Sequence, residues 1–129
     1  MITTGIDLVE IKRIKRSLEN PLFFQRVFGD AEKQFLGTLN QKKLYRSAAA
    51  RFAAKEAFGK ALGTGICGFS LCEVEVVKDK NGAPKLKLSG NAEKLARGFS
   101  FSISLTHTES YAGAIVIAVK ENGYENSGK

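Results

Sequence analysis

The apolar positions of this chain change rhythm several times, and each change marks an expected element. Ile2–Val9 is mostly apolar and predicts a first strand, interrupted at Asp7. An acid inside such a strand is costly unless something binds it. Over Glu10–Leu18, Ile11, Ile14 and Leu18 share one helical face while Lys12, Arg13, Lys15 and Arg16 share the rest, predicting a short helix that Asn20-Pro21 breaks. Phe23, Phe24, Val27 and Phe28 form an apolar cluster stopped by Gly29. Asp30 is suited to N-cap a helix over Ala31–Leu39, with Lys33 at its third position. Lys42–Leu62 carries the longest helical signal, with Ala48, Ala49, Ala50, Ala53, Ala54, Ala57 and Ala61 inside it and Gly63 to end it. Alanine on several sides predicts a tightly enclosed helix, with backbone or ligand close by.

Beyond a glycine-rich loop, Gly63–Gly68, the pattern shifts to period two. Leu71–Lys78 predicts a strand, Asn81-Gly82 a hairpin turn and Pro84–Leu88 the returning strand. Gly90-Asn91 opens a short helix over Ala92–Arg97, and Phe99–Thr106 and Tyr111–Lys120 predict two further strands. Residues 122–129 are polar and read as a frayed tail after a single domain over 1–121. A strand, then helices, then strands joined by short turns argues for an α+β fold. Its sheet would be mainly antiparallel, packed with one long Ala-rich helix and shorter ones. No β-α-β alternation supports a doubly wound parallel sheet.

Composition narrows the function. With 129 residues, a site that needs much surface must borrow it from a metal, a cofactor or a second subunit. Twenty Lys and Arg against thirteen Asp and Glu give a formal charge of +7, which favours phosphate ligands, nucleic acid, anionic membrane or an acidic protein without choosing among them. Cys67 and Cys72 are five apart and there is one histidine, so no zinc set is available; reduced, partly buried thiols in a cytoplasmic protein are expected. The acid at position 7 arrives before any signal peptide could form, and Tyr111–Val119 is too short to span a bilayer.

Four groups of residues carry candidate chemistry. Asp7 is either a capping or salt-bridging acid or a ligand for a hard cation. Phe52, Glu56 and Lys60 are spaced i, i+4, i+8 on one helical face, with Arg51 and Lys55 to its sides. An exposed Glu–Lys pair there would contribute a few tenths of a kcal/mol, but the alanines around it suggest burial, which needs a ligand to organise it. His107 and Thr108 follow a hydroxyl-rich strand and are either turn residues or donors to a phosphate. The basic side chains Lys12, Arg13, Lys15, Arg16, Arg26, Lys42, Lys43 and Arg46 cluster early in the chain and suggest a docking face for an acidic partner.

Three motifs, taken in order, resemble a known family. Gly5-Ile-Asp7 with Arg13, then Phe52-Ala-Ala-Lys-Glu-Ala-Phe-Gly-Lys60 running into Ala-Leu-Gly-Thr-Gly-Ile66, then Ser104-Leu-Thr-His-Thr108, are similar to those of the holo-acyl-carrier-protein synthases. These are the small bacterial 4′-phosphopantetheinyl transferases, and the resemblance spans about Ile2 to Val119. It implies that fold, and transfer of 4′-phosphopantetheine from coenzyme A to a serine of apo-acyl carrier protein with release of adenosine 3′,5′-bisphosphate. It also implies Mg²⁺, held by Asp7 and Glu56, and a cytoplasmic homotrimer in fatty-acid biosynthesis with sites at subunit boundaries. By the same resemblance Lys60 grips the pyrophosphate, and Arg51, His107 and Thr108 fall where the 3′-phosphate is expected. Arg13, with Arg16 and Arg26, would meet the carrier protein. Glu56, or a water beside the cation, would accept the serine proton while His107 binds ligand. Neither nucleic acid nor membrane is expected as a partner. The rival reading is a small basic RNA-binding module, for which no aromatic RNP-like strand or flanked GXXG loop is present. Gly59, inside a helix, has no purpose that the sequence supplies.

Overall fold

In the computed structural model, residues 1–121 are described; the expected tail, 122–129, lies outside them. Strand β1 (Ile2–Glu10) runs without a break through Asp7 and pairs antiparallel with β5 (Tyr111–Lys120), which pairs antiparallel with β4 (Phe99–His107). The order β1-β5-β4 makes one sheet, and the hairpin β2 (Val74–Lys78) and β3 (Pro84–Leu88) makes a second. The antiparallel α+β expectation therefore holds, with the strands divided between two sheets.

Among the described residues there are also five helices: α1 (Ile11–Ser17), α2 (Pro21–Val27), α3 (Asp30–Leu36), α4 (Gln41–Leu62) and α5 (Gly90–Leu95). Phe23, Phe24 and Val27 belong to α2, with Phe28 as its C-cap, a helix that the apolar pattern alone did not reveal. Asn20 caps it by accepting from Leu22 N–H at 3.0 Å, with Pro21 in the first turn. Helix α3 starts one residue earlier than expected. Gly29, not Asp30, is its N-cap, and Glu32 rather than Lys33 takes the third position. Glycine has no side chain to accept from the Glu32 N–H, so Glu75 of β2 reaches across and accepts it at 2.9 Å. The expected strand from Leu71 begins instead with a single 3₁₀ turn, Leu71–Glu73. There Glu73 accepts from the N–H groups of Ser70, Asn91 and Ala92, which holds its carboxyl below the usual carboxylate range.

Helix α4 lies against the inner face of β1 and β5, and its alanines make that approach possible. Ala48, Ala49, Ala53, Ala54 and Ala57 are fully buried. Opposite them Gly5 is the strand position of closest approach: a Cβ there would stand 1.9 Å from the Ala57 carbonyl oxygen. Thr3 donates its hydroxyl to the Ala61 carbonyl at 2.7 Å, fixing the far end of the same contact. Around this seam the core gathers Phe28, Phe58, Leu36, Ile14 and Val116. No helix of the described residues is long and apolar enough to cross a membrane.

On the other flank of α4 lies a charge the sequence did not locate. The buried lysine is Lys55, not Lys60, and it is 0% exposed. Its ammonium donates to Glu32 Oε1 at 2.6 Å, to the Val74 carbonyl at 2.6 Å and to the Leu71 carbonyl at 3.2 Å, using all three protons. Glu32, 1% exposed, also accepts from Gly29 N–H and Val76 N–H. Burial pushes the Lys55 pKa down, and the Glu32 charge pulls it back. Removing either partner strands a buried charge, so Glu32→Gln or Lys55→Met should each lower stability by about 3–5 kcal/mol. The double variant Glu32→Leu/Lys55→Met should cost less than the sum of its single changes in urea melts.

Candidate functional site

The chemistry-bearing residues form two clusters, set by the geometry of α4. The first lies where α4 crosses β1. Register pairs Asp7 with Ala114, on the inner face that α4 covers. Lys60 is exposed but anchored: its ammonium donates to the Ile6 carbonyl at 2.9 Å and to Asp7 Oδ1 at 3.2 Å. Glu56 is half-buried one helical turn before Lys60, and Phe52 one turn before that, so the expected stripe is present. The expectation that this Glu and Lys are buried together is not met.

Asp7 and Glu56 offer two hard carboxylate groups on one side of the helix. No group of three His, Cys, Asp or Glu that could hold a metal occurs among the described residues. Two carboxylates with room for ligand and water oxygens fit Mg²⁺, which keeps several waters and binds few protein groups. They fit poorly to zinc, which takes nitrogen and sulfur in closed sets.

Gly59 acquires a purpose here. A Cβ on it would stand 2.1 Å from the Gly65 carbonyl oxygen, because the loop after α4 folds back on the helix. Gly59 O accepts from Thr64 N–H and Gly65 N–H at 3.1 and 3.0 Å, and Gly63 and Gly65 both have positive φ. The loop is thereby held beside Lys60.

The second cluster lies around the end of β4. His107, Thr108, Lys42 and Arg46 line one cavity of about 290 Å³. Arg51, His107, Arg46, Lys43 and Lys78 line a neighbouring one of about 440 Å³. Lys42, Lys43 and Arg46, which the charge pattern assigned to a docking face, thus join His107; only the fold reveals it, since they lie some sixty residues from it in sequence. Thr108 accepts at its hydroxyl oxygen from Ser110 N–H and Tyr111 N–H, so it also shapes the turn into β5. Arg51 is buried, donates to Ser47 Oγ and lies over the Phe35 ring at 4.8 Å. Burial lowers its pKa, with Glu32 opposing. Arg51 and Glu56 are five residues apart, about 140° around the helix. Arg51 and Glu56 therefore face different flanks of α4.

Arg13 and Arg16 are exposed on α1 and Arg26 on α2. The Arg13 guanidinium stands 5.7 Å from the Phe52 ring centre, so the basic α1 adjoins the stripe that carries Glu56. Cys67 and Cys72 are free; Cys72 is half-buried, but Cys67 is exposed, against the expectation of two partly buried thiols, because it lies in the glycine-rich loop after α4.

Residues 3–116 match the model of the 4′-phosphopantetheinyl transferase superfamily. The holo-[acyl-carrier-protein] synthase of Caldanaerobacter subterraneus subsp. tengcongensis is 39% identical over 130 residues, covering 98% of each chain. That of Chloroherpeton thalassium is 44% identical over 116 residues, covering 88% of this chain and 93% of its own. Among solved structures, a holo-(acyl-carrier-protein) synthase from Bacillus anthracis in complex with CoA (3′,5′-ADP) superposes with a TM-score of 0.80 at 32% identity, covering 93% of this chain and 96% of its own.

Gly59→Ala should force the loop at 63–68 off the helix. The expected outcome is a loss of about 1–3 kcal/mol of stability and faster proteolytic cleavage in that loop; an unchanged melt and digest would contradict the close approach.

Proposed function

We propose, because the chain belongs to the 4′-phosphopantetheinyl transferase superfamily and within it to the holo-[acyl-carrier-protein] synthases, that it moves 4′-phosphopantetheine from coenzyme A to a serine hydroxyl of apo-acyl carrier protein. Adenosine 3′,5′-bisphosphate is the second product. The observation that carries this reading is the stripe Phe52–Glu56–Lys60, tied to Asp7 by Lys60 at one end and adjoined by Arg13 at the other. It sets a cation-binding pair and a phosphate-binding lysine next to a basic helix suited to an acidic carrier protein.

In this reading Asp7 and Glu56 would hold Mg²⁺, which when bound would neutralise charge on the pyrophosphate. Lys60 adds a point charge to the same oxygens. Glu56, or a water beside the cation, takes the proton of the serine hydroxyl as it attacks the pantetheine-bearing phosphorus. The new serine O–P bond forms as the pyrophosphate P–O bond breaks, and the bisphosphate leaves. Arg51, His107 and Thr108 bind the 3′-phosphate, and Lys42 and Arg46 add positive charge beside them. Arg13, Arg16 and Arg26 orient the carrier protein. All of this belongs to a single cytoplasmic domain over residues 1–121 that serves fatty-acid biosynthesis.

The assembly is proposed as a homotrimer. Two observations support a second copy. The clusters needed for one coenzyme A lie on different flanks of α4, so a neighbour would complete the site. The open face of the β1-β5-β4 sheet also exposes Ile2, Ile6, Leu8, Ile117 and Val119, with Ile6 68% exposed, a contiguous apolar surface of the kind that marks an interface.

Glu56→Ala should abolish Mg²⁺-dependent transfer, read as loss of the phosphopantetheine mass gain on apo-carrier protein; near-normal turnover would remove Glu56 from the cation site. His107→Ala should chiefly raise KM for coenzyme A, whereas a collapsed kcat with a shifted pH profile would make it the base instead. Sedimentation should give a trimer, and a monomer at assay concentration would refute the shared site.

A further inference from the structure

Arg51 is held in an unusual way for a residue meant to grip a ligand. It is 6% exposed, yet it lines the 440 Å³ cavity with His107. Its Nη1 donates to Ser47 Oγ, one helical turn earlier on α4, and its plane lies over Phe35. Its Nε is buried and makes no hydrogen bond, facing Glu32 Oε2 at 3.9 Å. Glu32 is not part of the cavity wall; it sits behind the guanidinium.

That distance matters. A carboxylate at bidentate range would occupy the guanidinium fork and compete with any phosphate. Glu32 cannot close in, because Lys55 and Gly29 N–H engage Oε1 and Val76 N–H engages Oε2. It therefore attracts Arg51 without capturing it. Ser47, Arg51 and Lys55 are spaced i, i+4, i+8, so one stripe of α4 carries the hydroxyl, the ligand-facing cation and the lysine that immobilises Glu32.

We infer that Glu32 and Ser47 are positioning residues that hold Arg51 at the cavity and so set the preference for a 3′-phosphorylated donor over its dephosphorylated form. This rests on the reading that Arg51 binds the 3′-phosphate. Neither residue touches the reacting phosphorus; Ser47 stands on the wall of the same cavity as Arg51, and both Ser47 and Glu32 act through the aim of one guanidinium.

The test compares KM for coenzyme A and for 3′-dephospho-coenzyme A, with apo-carrier protein as acceptor. Arg51→Gln should reduce the preference for coenzyme A by about 10- to 100-fold, the loss of charge-assisted hydrogen bonds. Glu32→Gln and Ser47→Ala should each raise KM for coenzyme A roughly three- to tenfold, leaving kcat and the dephospho-coenzyme A KM within about twofold. Ser47→Thr, which keeps the hydroxyl, should restore the wild-type ratio. Circular dichroism checks folding; if Glu32→Gln does not fold, Ser47→Ala in the Arg51→Gln background decides, since no further loss of preference is expected and a further loss, marking a direct contact of Ser47 with the ligand, would overturn the positioning role. If Arg51→Gln collapses the preference while the folded variants keep it, the positioning role is overturned and the Arg51 reading stands. Equal rises in KM for both donors would also overturn it, as a general structural effect. If Arg51→Gln itself keeps the preference, the reading of Arg51 fails and the inference with it.

Discussion

A lysine ammonium with no exposure, satisfied by one carboxylate and two backbone carbonyls, is the constraint around which this chain is arranged. Leaving either charge unpaired in that interior would cost several kcal/mol, so the partners must be delivered together. Delivering them fixes α3, which carries Glu32, against α4, which carries Lys55. It also fixes the turn at Leu71–Glu73 and the start of β2, whose carbonyls and Val76 N–H complete the set. Glu75, next along β2, then caps α3 at the glycine where a side chain is missing. The second sheet is thereby locked to the long helix without any direct pairing to the first.

Helix α4 does different work on each side. Its alanine side lets β1 come close enough that Gly5 admits no side chain. The same closeness carries Asp7 to Lys60 and sets the Asp7–Glu56–Lys60 cluster at the seam of strand and helix. Its Ser47–Arg51–Lys55 side faces α3 and the second sheet and leads charge toward His107. The 140° between Arg51 and Glu56 follows from helical geometry, and it turns them toward different flanks of the helix. An apolar sheet face beside them offers the surface on which a neighbour could close that gap.

Much of this was legible in the residue pattern where the cause is local. The period of 3.6 puts Phe52, Glu56 and Lys60 in line whatever the rest of the chain does, and Asn81-Gly82 makes a hairpin from its own turn chemistry. The terminator Gly63 and the alanine-rich interior of α4 likewise act within a few residues. Helix α2 escaped notice because its four apolar residues are too few to display a period, and α3 was shifted by one because its cap comes from Glu75, on a distant strand.

By itself, then, the sequence determined where the charged residues stand along the chain, the stripe that aligns Phe52, Glu56 and Lys60, and the antiparallel α+β plan. Tertiary structure decided which lysine is buried, that Lys42 and Arg46 stand beside His107, and why Gly59 is glycine. The physical reason is the range of the forces involved. Helical and turn preferences are settled between neighbours, whereas the partner of a buried charge is chosen by packing across the whole core. Lys55 and Glu32 are 23 positions apart, and nothing in either residue's surroundings along the chain names the other.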